Sequence, residues 1–166
     1  MTNELLLVVT AIIGILFIFV AARFSPARLY GVVALNLFFV AIFGAKLITV
    51  FGLTTNVGNV FYACVFLATH LIIEKGSRKD GLKAIWFGAV VVIFLTSLSQ
   101  ITAHFISATP GDVADVALRQ VFALSLRVTL ASLVAYIFAQ YINVIIYSHF
   151  KDARKKTPLW FRCNLA

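Results

Sequence analysis

The sequence predicts an all-α protein: a polytopic transmembrane helix bundle of about five spans, with the amino terminus outside and the carboxyl terminus in the cytoplasm. Hydrophobic residues make up 62% of the chain and charged residues only 12%, a balance far from that of soluble domains. The apolar residues fall into five long runs, and basic residues cluster in alternate connectors between the runs.

The five predicted spans cover residues 5–22, 29–51, 57–73, 83–106 and a stretch within 121–147. A helix rises about 1.5 Å per residue, so roughly 20 apolar residues cross a hydrocarbon core about 30 Å thick. Helices are expected because lipid cannot satisfy open backbone groups and because the runs lack the alternation of barrel strands. The first run has no basic segment before it and no cleavage site after it, which favours a retained helix.

The connectors predict the orientation of the spans. Basic residues occur in the first and third connectors and in the tail, whereas the second connector has none. By the positive-inside rule, the basic connectors lie in the cytoplasm and the amino terminus lies outside. The longest external connector is predicted as a loop over residues 107–118, where Pro110 and Gly111 break any helix. We expect a transmembrane helical domain over residues 1–150 and a basic cytoplasmic tail over 151–166, leading into a helix that is cut off.

The last span carries one polar face. Its members recur every three or four positions and therefore share one side of a helix: Thr129, Ser132, Tyr136, Gln140, Asn143 and Tyr147. Ala131, Ala135 and Ala139 form a separate face of small residues that suits close helix packing. The polar face must look at protein or water, either as a substrate-binding surface or as a hydrogen-bonded helix seam without a ligand.

The third and fourth spans carry sparser polar stripes at the same helical spacing. The stripe of the third span consists of Asn59, Tyr62, Phe66, His70 and Glu74, and that of the fourth consists of Ser97, Gln100 and His104. Three such stripes are expected around a solvated or ligand-binding cavity at the centre of a bundle, although a membrane enzyme could also show them.

Four polar residues are predicted in the outer half of the membrane: Lys46, Gln100, His104 and Arg127. Ionisable groups there cost a few kcal/mol on insertion scales and need a reason. Lys46 and Gln100 form a candidate ion site, with snorkelling of Lys46 to the interface as the alternative. Arg127 lies deeper, which favours a functional or structural ion site.

Enzymatic chemistry finds little support in the sequence. The three histidines are scattered over different segments, so the paired histidines of a membrane metalloprotease are absent. No phosphate loop, nucleophile elbow, metal spacing or cysteine pairing pattern is present. We therefore predict that the protein binds no metal or cofactor and is not an enzyme. The weaker alternative is a membrane enzyme in which Asp112, Asp115 and His104 act on a lipid headgroup. The net charge of +8 reflects topology signals, so no nucleic-acid partner is expected.

Two segments carry a family resemblance. Residues 52–76, GLTTNVGNVFYACVFLATHLIIEKG, hold a Thr-Thr pair, an aromatic-rich helix and FLATH before a basic connector. Residues 125–151, SLRVTLASLVAYIFAQYINVIIYSHFK, hold an arginine, an Ala-Ser pair and a glutamine. Both resemble the queuosine precursor transporter family, also called the vitamin uptake transporter group, and the resemblance covers residue 29 to about residue 165.

The resemblance implies an inner-membrane carrier that takes up 7-cyano-7-deazaguanine or its aminomethyl relative. Arg127 and Gln140 match the arginine and glutamine of the family, whereas His70 and Asn143 stand where the family has aspartates. Two family acids are thus replaced by neutral or titratable groups. Both replacements bear on which substrate is carried and on whether transport is coupled to protons. Because an unperturbed histidine titrates near neutrality, we expect a pH dependence of uptake that requires His70.

The expected partners are a deazapurine-like small molecule and the lipid membrane, and a homo-oligomer is left open. Asn and Gln amides can match the hydrogen-bonding edge of a purine-like base, and Tyr62, Phe66 or Tyr136 could stack on its face. The family continues past the basic tail with further helices, so the chain is expected to be a shortened carrier or a fragment. The alternative is a non-transporting membrane subunit or helical scaffold, including a truncated and inactive carrier.

Overall fold

The computed structural model describes residues 2–108, 112–122, 126–153 and 163, without the side chains of 126–129, 152 and 153. This part of the chain contains six helices and one two-stranded hairpin. The elements in chain order are α1 (Asn3–Phe24), α2 (Arg28–Phe43), β1 (Leu47–Val50), β2 (Leu53–Asn56), α3 (Gly58–Lys75), α4 (Arg78–Ala103), α5 (Val113–Phe122) and α6 (Leu126–Ala153). The predicted tail from residue 154 onward lies outside the described residues, except for Cys163.

Three helices in the described part are long and apolar enough to cross a membrane: Asn3–Phe24, Arg78–Ala103 and Leu130–Lys151. Their outward faces carry large exposed apolar side chains, such as Ile13 on α1 and Phe94 on α4. Side chains of this kind would be unfavourable in water and suit a lipid environment. The prediction of a mostly helical membrane protein is therefore confirmed, with three candidate spans. The apolar helix α2 has only 16 residues, which is short for a full crossing.

The helix predicted over residues 29–51 is wrong in its second half, because α2 ends at Phe43 and a β-hairpin follows. In this hairpin Leu47 pairs with Asn56 and Val50 pairs with Leu53 in antiparallel register. Phe51 and Gly52 both have positive φ, 50° and 78°, as a two-residue type I′ turn requires. The paired segments, LITV and LTTN, are rich in the β-branched residues that favour strands over helices.

The connector after α4 also differs from its prediction. Residues 107–118 were expected to form a loop, whereas α5 occupies Val113–Phe122. Asp115 and Arg119 form an ion pair with a distance of 2.9 Å between Arg119 Nε and an Asp115 carboxylate oxygen. Arg119 also donates to the carbonyl of Phe105, which links α5 to the end of α4. The i, i+4 ion pair stabilises a helix that is too short to be stable alone. Pro110 and Gly111 lie outside the described residues.

Helix α3 lies at the centre of the bundle and contacts α1, α2, α4 and α6. Its residues Val65, Ala68 and Ile73 are fully buried. Glycines allow the neighbouring helices to approach closely: a Cβ on Gly81 would lie 2.6 Å from Ile73 Cγ1. The central position of α3 therefore brings the polar stripe of α3 against other helices.

Helix α6 packs through its polar face rather than through its alanines. Tyr136, Gln140 and Asn143 are buried, whereas Ala131 and Ala135 are exposed. The polar groups of α6 thus face protein, one of the two environments expected for them, whereas Ala131 and Ala135 do not form the close helix packing that the alanine spacing predicts.

Candidate functional site

The polar stripes of α3 and α6 meet at His70 and Asn143. His70 Nε2 lies 2.8 Å from Asn143 Oδ1, and both side chains are buried. With the amide oxygen as acceptor, Nε2 donates, and in the neutral imidazole Nδ1 is then an acceptor. Spacings of three and four residues place the stripe members on one face of each helix, and the contact shows that these two faces meet. The fully buried Gln140 lies on the same face of α6, one turn before Asn143.

Tyr147 closes one end of this contact. Its ring stacks on the His70 imidazole with a centroid distance of 4.2 Å and an angle of 11° between planes. Its hydroxyl donates to the Glu74 carboxylate over 3.0 Å. We call His70, Gln140, Asn143 and Tyr147 the α3–α6 cluster. The sequence placed Tyr147 on the polar face of α6 but gave it no role, because its partners on α3 are visible only in three dimensions.

Four buried polar atoms of the cluster have no hydrogen-bond partner among the described residues: His70 Nδ1, Asn143 Nδ2, and both the oxygen and the nitrogen of the Gln140 amide. Gln140 has an exposed fraction of 0% and Asn143 of 3%. An unpartnered buried polar group costs roughly 1–3 kcal/mol. Other buried polar side chains of the bundle avoid that cost, since Thr69 donates to the Val65 carbonyl one turn earlier. The unpaired atoms are therefore concentrated at one place.

Aromatic side chains flank the cluster on the other side. The rings of Tyr62 and Tyr136 lie 6.3 Å apart at 66°, and Phe66 packs edge-on against Tyr62 at 5.1 Å. Tyr136 is buried against Gly88 of α4, where an added Cβ would collide with the Tyr136 hydroxyl. Because Gly88 has no side chain, the Tyr136 hydroxyl has the space that it occupies. Neutral hydrogen-bonding groups lined by aromatic rings are typical of sites for small planar molecules.

Other residues predicted in the site have different neighbours. Asn59 is exposed in the first turn of α3, donates to Thr55 Oγ1 over 2.9 Å, and lines a groove of about 340 Å³ against α1. Lys46 is exposed just before β1 and borders a second groove of about 350 Å³ between α1 and the hairpin. Gln100 of α4 donates to the carbonyl of Phe122 at the end of α5, 3.1 Å away. The side chain of Arg127, in the first turn of α6, lies outside the described part.

Metal-binding and disulfide chemistry have no visible support in the described part of the chain. No group of three or more His, Cys, Asp or Glu side chains that could hold a metal ion occurs among the described residues. Cys64 is a free cysteine buried beside α1, where a Cβ on Gly14 would lie 2.8 Å from its sulfur. The site is therefore defined by hydrogen-bonding amides, an imidazole and aromatic rings.

Comparison with known proteins adds a family. The sequence profile of the family described as "Putative vitamin uptake transporter" matches residues 56–166, which include α3, α4 and α6. The chain is also 38% identical over 103 residues to a protein of Bacillus subtilis (strain 168) named "Probable queuosine precursor transporter". That match covers 62% of this chain and 44% of the relative, so the chain matches less than half the length of that protein. No solved structure matches the chain.

Proposed function

This chain belongs to the vitamin uptake transporter family, and from that membership we propose that it carries a queuosine precursor across the cell inner membrane. The proposed substrate is 7-cyano-7-deazaguanine or a related nucleobase-like metabolite. The substrate named for the Bacillus subtilis relative supports this choice. The family and the apolar helices of the chain support a membrane transport protein.

The unpaired polar atoms of the α3–α6 cluster are the observation that carries the proposal. A deazaguanine presents ring and amino N–H donors beside a carbonyl acceptor. Gln140 offers one acceptor and one donor, His70 Nδ1 offers an acceptor and Asn143 Nδ2 offers a donor. A bound base would therefore satisfy the buried groups that the protein leaves unpaired, while Tyr62 and Tyr136 supply faces for stacking.

The proposed carrier has about five spans, with the amino terminus outside and the tail in the cytoplasm. In the described conformation the cluster is closed, since His70 and Asn143 bond to each other and Tyr147 covers them. Substrate entry therefore requires α3 and α6 to separate locally, as alternating access requires of a carrier. Glu74 and Arg127 are proposed to act at the inner and outer ends of this path.

Uptake of labelled 7-cyano-7-deazaguanine by cells that cannot make this base tests the proposal. Expression of the protein should restore uptake, and Gln140→Leu should reduce it about tenfold or more, because the base loses two hydrogen bonds in a buried site. Thr69→Val is the matched control, since Thr69 is buried beside His70 but bonds only to its own helix. Unchanged uptake with Gln140→Leu would contradict the proposal. Reduced membrane assembly without a change in uptake per molecule would instead identify the cluster as a structural seam.

A further inference from the structure

The α3–α6 cluster offers only neutral hydrogen-bonding groups and one imidazole to a ligand. The atoms left without partners belong to the Gln140 amide, the Asn143 amide and the His70 ring, and none of them carries a negative charge. An imidazole can only be neutral or positive. A cationic ligand would therefore meet no counter-charge from these atoms.

The carboxylates that the structure describes are all engaged with protein groups. Glu74, the acidic residue next to the cluster, accepts the Tyr147 hydroxyl behind the stacked rings of His70 and Tyr147. The other described acids have partners in other elements: Glu4 at Phe51, Asp80 at Ser77 and Lys83, Asp112 at Ala114, and Asp115 at Arg119. Asp152 follows Asn143 by nine residues, about 13 Å along a helix axis.

A positive charge on α6 lies beside the end of α3. Lys151 donates to the carbonyls of Ile73, Glu74 and Gly76 at the end of α3, with distances of 3.2 Å to Glu74 and 3.3 Å to Gly76. An ammonium ion at this position opposes the approach of a second cation to the inner end of the cluster.

We propose that this site selects planar bases whose side arm is uncharged and rejects bases whose side arm carries a cation, because the buried cluster provides hydrogen bonds without a counter-charge. The inference rests on the proposed function and adds the charge of the substrate to it. Burial of a charge without a partner is strongly unfavourable, whereas burial of a nitrile or another neutral arm is tolerated.

A competition experiment tests this selectivity. Uptake of labelled 7-cyano-7-deazaguanine is measured against increasing unlabelled nitrile or unlabelled 7-aminomethyl-7-deazaguanine, whose amine is protonated at neutral pH. The aminomethyl base should need a concentration about tenfold or more higher for half-maximal inhibition. Asn143→Asp places a carboxylate in the cluster at constant shape. This variant should lower the ratio of the two half-maximal inhibitory concentrations, aminomethyl base to cyano base, or bring it below one. Gln140→Glu is a second acid of constant shape, for use if Asn143→Asp fails to reach the membrane.

Gln120→Glu on the exposed surface of α5 is the control for a change in net charge. The ratio of its two half-maximal inhibitory concentrations should equal that of the wild type. Equal inhibition by the two bases in the wild type would overturn the selectivity while leaving the proposed function intact. An unchanged ratio in both acidic variants would also overturn it. If neither base is taken up, the proposed function fails and this inference fails with it.

Discussion

At the residue scale, Gln140 is placed where a protein selected only for stability would have an apolar side chain. Neither polar atom of its buried amide has a partner among the described residues, and an unpartnered buried polar group costs roughly 1–3 kcal/mol. Neighbouring positions on the same helix face show the usual solution, since Val144 is apolar and fully buried. The amide is therefore retained at a cost to stability, which is expected of a residue that binds a ligand.

Replacement of Gln140 by leucine should raise the thermal stability of the purified protein in detergent. Leucine fills a similar volume and removes the unpaired amide, so the free energy of unfolding should rise by about 1–3 kcal/mol. Thr69→Val should not raise it, because the threonine hydroxyl already has a partner. A midpoint of unfolding that falls with Gln140→Leu would show that the amide has a structural bond and would contradict this account.

Gly88→Ala should disturb the site from the other side. The new methyl group would collide with the Tyr136 hydroxyl, and such overpacking costs about 1–3 kcal/mol. Tyr136→Phe in the same chain should recover part of the lost stability, because it removes the colliding oxygen. Thermal unfolding in detergent measures both effects. Gly31→Ala is the matched control: nothing lies within 4 Å of its added Cβ, so stability should stay constant or rise. Equal losses for the two glycine variants would exclude the collision as the cause.

Much of the cluster could be predicted residue by residue. Gln140, Asn143 and His70 were identified because spacings of three and four place them on single helix faces, and those faces do meet in the structure. The stacking of Tyr147 on His70 could not be predicted, since it depends on the relative height of α3 and α6. The position of Asn59 beside the hairpin depends on a turn that the helical pattern of the sequence does not contain.

At the element scale, the end of α3 is capped from another helix. The last carbonyls of a helix have no partner within it and favour a positive charge. Lys151 of α6 supplies both, by donating to Ile73, Glu74 and Gly76. Lys75 similarly donates to the carbonyl of Ala22 at the end of α1. The helix ends on this side of the bundle are thus tied together by lysines.

Lys151→Met should loosen the end of α3. The methionine keeps the apolar stem but loses the ammonium donors, so unfolding should become easier by about 1–2 kcal/mol. Hydrogen exchange of the amides in the last turn of α3 should accelerate. Lys83→Met serves as the control, because Lys83 is exposed and pairs only with Asp80 three residues away. Unchanged exchange in α3 with Lys151→Met would show that the cap contributes nothing.

The elements were predicted as well as their hydropathy allowed. Helices α1, α3, α4 and α6 follow from long apolar runs. The hairpin after α2 was missed because β1 is as apolar as a span, and only the β-branched residues of the two strands around Phe51-Gly52 indicate a hairpin. Helix α5 was missed because Pro110 and Gly111 predict a loop, whereas the Asp115–Arg119 ion pair that supports the helix comes after them.

At the scale of the whole molecule, the orientation in the membrane remains a proposal that labelling can test. In a background with both cysteines replaced by serine, a membrane-impermeant maleimide should label Asp112→Cys in intact cells. It should label Lys79→Cys only after the membrane is permeabilised. Both positions are exposed and lie on opposite predicted sides, Lys79 in the first turn of α4 and Asp112 just before α5. Labelling of Lys79→Cys in intact cells, with Asp112→Cys protected, would reverse the topology.

The central claim is that the α3–α6 cluster binds a nucleobase-like substrate, and equilibrium binding to the purified protein tests it most directly. Titration calorimetry with 7-cyano-7-deazaguanine should show saturable binding to the wild type and to Thr69→Val. The affinity of Gln140→Leu should be about tenfold or more weaker, although this variant is folded at least as stably. Equal affinity of Gln140→Leu and the wild type, or no binding to any of them, would contradict the account.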